Sequence, residues 1–350
     1  MKYFIKAFII IFVLALISTC SVFLGSDPDN SPQGIFDSIW NDFNKTYALF
    51  DIKSIDWDSV YDTHVGRIYS GMGDRELFKV CSDMLGELND AHVRIASSFE
   101  YFNSGDLYGT SNMEPFNLNI IKTNYLNSNH TSTEDGMFVY GTFKDKPTVG
   151  YIYIKGFAYE ENTGGSQDWV KTIDSINKNL SGTDSLVLDL RANTGGLPAN
   201  VDFIANRFAA VEKDYVSVHT KNGTGRNDFS SPVYYTIKPE GITYTKPVIL
   251  LTNAQTVSGG EWFTLALRSQ SHVTHAGSVT TGALSLSLHR FLVNGWSYWV
   301  SVQIVRDMQG ICPEAIGITP ENQHIKTNTV ERIALNIDDQ LEYALSILPY

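Results

Sequence analysis

The chain is 350 residues long and 43% hydrophobic, enough for one large packed core or two modest ones. A formal net charge of −12, with no run of Lys or Arg, excludes nucleic acid and anionic headgroups as the main partner. Its 3 cysteines form no C-x-x-C pair or His/Cys cluster of ligand spacing, so neither a metal nor a cofactor is expected.

In chain order, Lys2 and Lys6 precede an apolar run from Ala7 to Ile17, too short to span a bilayer and suited to the core of a signal peptide. The run closes in Leu16-Ile17-Ser18-Thr19-Cys20, which resembles a bacterial lipobox. Residues 1–20 are therefore expected to direct export to the bacterial cell envelope, periplasm or outer membrane. Cys20 would carry a lipid that meets the membrane, and residues 21–34 would be a polar tether. Cys81 and Cys312 then remain, either as a disulfide or as buried thiols; spacing does not choose between them.

Residues 35–95 read as a small helical subdomain, with apolar residues at helical period: Ile35, Ile39, Trp40 and Phe43, then Leu77, Val80, Met84, Leu85 and Leu88. Residues 96–146 alternate turn-forming stretches with short strand-like pieces, "FNLNII" and "GMFVYGTF", and read as a connector. From residue 147 to 350, strand and helix patterns alternate: "VGYIYIKGF", a helix near Ser166 to Leu180, "SLVLDL", a helix near Ala199 to Ala210, and "PVILLTN". That order defines an α/β core. Around Asn294-Gly295, alternating residues predict a hairpin with a type I′ turn. His272 and His275 read as solvated, and Asp189 with Arg191 as a structural ion pair or turn anchors rather than catalysts.

Two glycine loops stand where a strand gives way to a helix, the place where α/β sheets collect ligands. In Asn193-Thr194-Gly195-Gly196, free backbone amides can approach a substrate oxygen, although a lone Gly-Gly is equally a plain turn. In "TNAQTVSGGEW", Ser258 stands at a helix N-terminus, where free N–H groups favour negative charge. By itself that serine is as good an N-cap as a nucleophile. It does not sit in the G-x-S-x-G elbow, since Thr256 occupies the first glycine position.

Taken together, "LNDAH", "GYIYIKGF", "LVLDLRANTGG", "PVILLTNAQTVSGGEWF", "GSVTTGA", "PEAIGITPE" and the ending "IDDQLEYALSIL" resemble the C-terminal processing, or tail-specific, serine peptidases and their tricorn-core relatives. The resemblance implies a crotonase/ClpP-like ββα superhelix behind the helical N-terminal subdomain. It places Ser258 at the nucleophile and the amides of Gly196 and Gly259 at the oxyanion hole. A PDZ domain, common in that family, does not fit in the short span between Ile95 and Gly150.

A serine hydroxyl needs a base. The PDZ-bearing branch uses a lysine, but its position is Ala283, and no lysine occurs between Ser258 and Lys326. The tricorn branch uses a histidine matched by His92 and a glutamate matched by Glu314, which would hold the imidazole in one tautomer. That branch has a bridging serine before the histidine, whereas this chain has Ala91. Glu314 then reaches His92 directly, reaches it through water, or binds substrate. Asp90 reads as a turn residue.

These residues imply an exported serine endopeptidase acting on peptides or unfolded protein tails, its rate rising with pH through the ordinary histidine range near about 6 to 7. The competing readings are a non-catalytic peptide or apolar-ligand carrier on the same fold, and an enoyl-CoA-type enzyme that would need no nucleophilic serine. The oligomeric state is not legible.

Overall fold

In the computed structural model, residues 29–105, 113–157 and 170–348 are described; Cys20 and the signal segment lie outside them. The apolar runs Ser185–Asp189 (β6) and Val248–Thr252 (β9) are buried along their whole length. They form the middle of a six-stranded sheet, in the order β10-β9-β6-β5-β4-β3. Val149–Ile154 (β5), β6, β9 and Val273–Gly277 (β10) run parallel, while Phe138–Thr142 (β4) and Thr131–Ser132 (β3) are antiparallel.

Continuous rather than alternating hydrophobicity follows from burial on both faces. Leu186, Leu188, Val248 and Leu250 face one core with the helices Thr172–Asn179 (α4), Pro198–Ala205 (α5) and Gly259–Arg268 (α6). Val187, Ile249 and Leu251 face the opposite core, closed by Leu341, Ala344 and Leu345 of the last helix, Asp339–Ile347 (α7). Each such side chain contributes about 1.5–3 kcal/mol.

The N-terminal region is helical as expected: Pro32–Thr46 (α1), Trp57–Val65 (α2) and Asp74–Gly86 (α3). Ser31 starts α1 by accepting the Gly34 N–H at 3.1 Å, with Pro32 in the first turn. Ile35, Phe36, Ile39 and Phe43 bury against Trp57 and Leu77, and the same core takes in Trp296, Tyr298 and Val300. Of these, Tyr298 and Val300 belong to a four-stranded antiparallel sheet of order β11-β12-β1-β2. Here Arg94–Ala96 (β1) lies between Tyr101–Asn103 (β2) and Ser297–Ser301 (β12), which also pairs with Ser287–Phe291 (β11). A third sheet joins Lys213–Thr220 (β7), Val233–Ile237 (β8) and Gln303–Asp307 (β13).

Several local expectations are corrected. "FNLNII" is not a strand: Asn117 caps a short helical stretch that continues as a π turn to Tyr125, burying Ile120 and Ile121. The hairpin at Asn294-Gly295 exists, but only Gly295 has positive φ, and its N–H donates to Leu292 O at 3.0 Å. This is a type I turn with a bulge, since type I′ needs positive φ at both central residues. His275 is buried, not solvated; its Nε2 lies 2.7 Å from Thr252 Oγ1, and burial holds its pKa well below the ordinary value. Cys81 and Cys312 are both free thiols.

Arg191 is fully buried, pairing with Asp189 at 2.7 Å and with Asp338 at 2.7 Å. Asp338 also caps α7 by accepting the Leu341 N–H at 3.0 Å, so one guanidinium ties the closing helix to the end of β6. Replacing Arg191 with Ala leaves two buried carboxylates unpaired. The expected loss is about 3–5 kcal/mol in urea unfolding, with faster amide exchange along α7.

Candidate active site

The loop after β6 and the loop after β9 are laced together before any chemistry is considered. Asn193 O accepts the Val257 N–H at 3.0 Å, its Oδ1 accepts the Gly195 N–H at 2.9 Å, and its Nδ2 donates to Ile154 O at 2.9 Å. Asn253 Oδ1 answers from the other side by accepting the Ala192 N–H at 3.0 Å. Their backbones approach so closely that a Cβ on Gly195, whose φ is +75°, would lie 2.7 Å from Gly259 N and from Ser258 Cβ. Only glycine fits there.

Ser258 occupies the turn from β9 into α6 with φ 57° and ψ −118°, not the extended backbone of an N-cap. Such a conformation is strained for a residue with a Cβ, and strain of this kind concentrates at functional sites. Glu261 holds it. Its buried carboxylate accepts the Ser258 N–H at 3.1 Å, the Gly282 and Ala283 N–H groups at 2.7 and 2.8 Å, and the Thr280 hydroxyl at 2.5 Å. Burial pushes the Glu261 pKa up, while these donors oppose the shift. Sequence reading missed Glu261, although Ser258 followed three residues later by Glu261 is a capping-box spacing that pointed to it.

His92 lies just before β1, so the pairing of β1 with β12 carries it across the molecule to Ser258. Both side chains line one cavity, together with Gly196, Gly259, Val201, Tyr235, Trp262 and Leu284. The amides of Gly196 and Gly259 open on the same cavity and donate to no described residue. Ala91, Val257 and Ala283 pack together in one small buried apolar cluster.

Glu314 is buried, with Oε2 accepting the Leu284 and Ser285 N–H groups at 2.9 and 3.2 Å. Burial, then the charge of Asp90, raises its pKa to about 8. His92 Nδ1 is buried without a hydrogen-bond partner, and burial lowers the imidazole to about 4. No direct hydrogen bond joins Glu314 to His92. A carboxylate oxygen of Asp90, a ring nitrogen of His92 and a carboxylate oxygen of Glu314 all fall within 4.8 Å of one another. Both carboxyl groups accept hydrogen bonds from the protein.

A strained serine, a buried histidine and unpaired amides around one cavity are the parts of a serine hydrolase. The model of Peptidase family S41 matches residues 148–323, and that of the Tricorn protease C1 domain matches residues 28–86. The chain belongs to peptidase family S41 and is a serine-type peptidase. It is 33% identical to the carboxy-terminal processing protease CtpA of Bacillus subtilis (strain 168) over 144 residues, 41% of this chain but 28% of that protease. A candidate peptidase from Parabacteroides merdae ATCC 43184 superposes with a TM-score of 0.80 at 29% identity, covering 92% of this chain and 98% of that one. Mature CPAF complexed with lactacystin shares the fold at a TM-score of 0.66 and 12% identity, covering 90% of this chain and 97% of that one.

Gly195→Ala tests the approach of the two loops. We expect turnover to fall by at least about 100-fold, because the displaced amides no longer meet the reacting oxygen, while urea unfolding loses only about 1–3 kcal/mol.

Proposed function

We propose that the chain is an exported serine endopeptidase that cleaves peptides or unfolded protein tails through an acyl-enzyme. Ser258 is the nucleophile, His92 the general base, Glu314 the carboxyl that supports the base, and the Gly196 and Gly259 amides the oxyanion hole. The observation that carries the reading is that Ser258, His92 and these two unpaired amides open on one cavity. Export and a lipid at Cys20 rest on the sequence of the first 20 residues. No helix among the described residues is long and apolar enough to cross a membrane.

In this mechanism His92 removes the Ser258 proton as Oγ attacks the scissile carbonyl. The developing oxyanion takes the two amides, whose donors are fixed beforehand and need no reorganisation. Collapse of the tetrahedral intermediate expels the amine, which receives the proton from His92. Water, activated by the same imidazole, then hydrolyses the ester. No lysine occurs between Ser258 and Lys326, which favours His92 as the base.

A fluorophosphonate probe is expected to label the wild type, and neither Ser258→Ala nor His92→Ala, with casein turnover down at least about 1,000-fold in both. Equal labelling of Ser258→Ala would sink the reading, and a wild type that does not label would favour a binding protein.

The acid limb tests His92 separately. The base works only when neutral, so activity is held above its pKa and lost below it. With burial lowering that pKa to about 4, the limb of kcat/KM that reports His92 should lie below the ordinary histidine range, as pH drops toward 4. A limb at about 6 to 7 would mean a solvated ring.

A further inference from the structure

Asp90 has no part in the roles assigned above, yet it is fully buried beside the proposed base. Its Oδ1 accepts the His92 N–H at 2.8 Å and its Oδ2 accepts the Tyr47 hydroxyl at 2.9 Å. A turn residue needs only the first of these bonds and is cheapest in water, because a buried charge must be fully compensated. The surrounding chain holds Asp90 in place. The Ser104 hydroxyl lies 3.3 Å from its N–H, and Lys53 Nζ donates to the carbonyls of Leu88 and Asn89 just before it.

An oxygen of Asp90, an oxygen of Glu314 and a ring nitrogen of His92 lie within 4.8 Å of one another. Two carboxyl groups so close and so buried resist carrying two charges. The raised pKa of Glu314, to which Asp90 contributes after burial itself, points the same way. The other groups facing the cluster are Tyr47 and Lys53 from the helical region, Arg94 on β1, Glu261 on α6, and Cys312 on the loop of Glu314.

We propose that Asp90, fixed by the Tyr47 hydroxyl, is a positioning residue for His92: with Glu314 it forms a carboxyl–carboxylate pair that holds one proton and presents a single negative charge to the imidazole. The inference rests on the serine-peptidase reading and deepens it. When Ser258 gives its proton to His92, the ring becomes a cation and meets that one charge. When the amine leaves, the proton passes from the ring to the amine nitrogen, and the pair ends as it began. Ala91 makes the arrangement intelligible: its methyl group packs on Val257 and Ala283 and offers no hydroxyl between base and acid. The bond from the His92 backbone N–H to Asp90 Oδ1 instead fixes the main chain that carries the ring.

The test measures fluorophosphonate labelling rates, and kcat and KM on unfolded casein, against pH for the wild type, Asp90→Asn, Tyr47→Phe and Glu314→Gln. The wild type should show a rise near pH 8 as the pair takes its second charge, and Asp90→Asn and Glu314→Gln should both lose that rise. Asp90→Asn should label about 10- to 100-fold more slowly with KM near the wild-type value, and Tyr47→Phe should slow labelling in the same direction by a smaller factor. Asp90→Asn with the wild-type rate and profile overturns the proposal, as does a rise near pH 8 that survives in Glu314→Gln. Should Asp90→Asn fail to fold, Tyr47→Phe and Glu314→Gln decide the matter by the same readouts. A wild type that does not label defeats the peptidase reading itself, whereas labelled wild type with indifferent Asp90→Asn and Tyr47→Phe defeats this inference alone.

Discussion

The contact between two backbones, at Gly195-Gly196 and at Ser258-Gly259, is the constraint around which the rest of the structure is arranged. A Cβ on Gly195 would fall 2.7 Å from Gly259 N, so the two loops touch main chain to main chain. Such proximity is kept only if neighbouring polar groups are satisfied elsewhere. Asn193 and Asn253 do this from one side and Glu261 from the other. The strain of Ser258 at φ 57° is held by those bonds rather than by an N-cap of its own.

The N-terminal helical region does more than shield a sheet. Its core continues into Tyr298 and Val300 of β12, and β1 pairs with the same strand, so the segment before β1 is delivered to the cavity. His92 arrives by way of the sheet, while Tyr47 and Lys53 arrive with the helices that pack on it. The environment of the proposed base is therefore built from parts of the chain that are distant in sequence. Its pKa is set by how completely those parts exclude water.

What was legible beforehand has identifiable physical causes. Buried strands such as Val248–Thr252 announce themselves by unbroken hydrophobicity, and α1 by its 3.6-residue period. "FNLNII" misled because a short apolar run has no period long enough to separate strand from helix; Asn117 decided it by capping. His275 misled because its burial depends on Thr252, which is brought beside it only by the parallel pairing of β10 with β9. Arg191 was read correctly as half of an ion pair with Asp189, but its second partner, Asp338, lies 147 residues away and carried no local signal.

The sequence by itself determined the serine peptidase family, the α/β core and the absence of a lysine between Ser258 and Lys326, because each of these is written in local runs and motif order. Only the tertiary structure decided that Cys81 and Cys312 stay apart, that Glu261 anchors the turn of Ser258, and that Glu314 is flanked by Asp90 rather than joined directly to His92. Those outcomes depend on which buried groups meet across the interface of the helical region and the sheets. Burial and proximity across long stretches of chain leave no periodicity for a sequence to display.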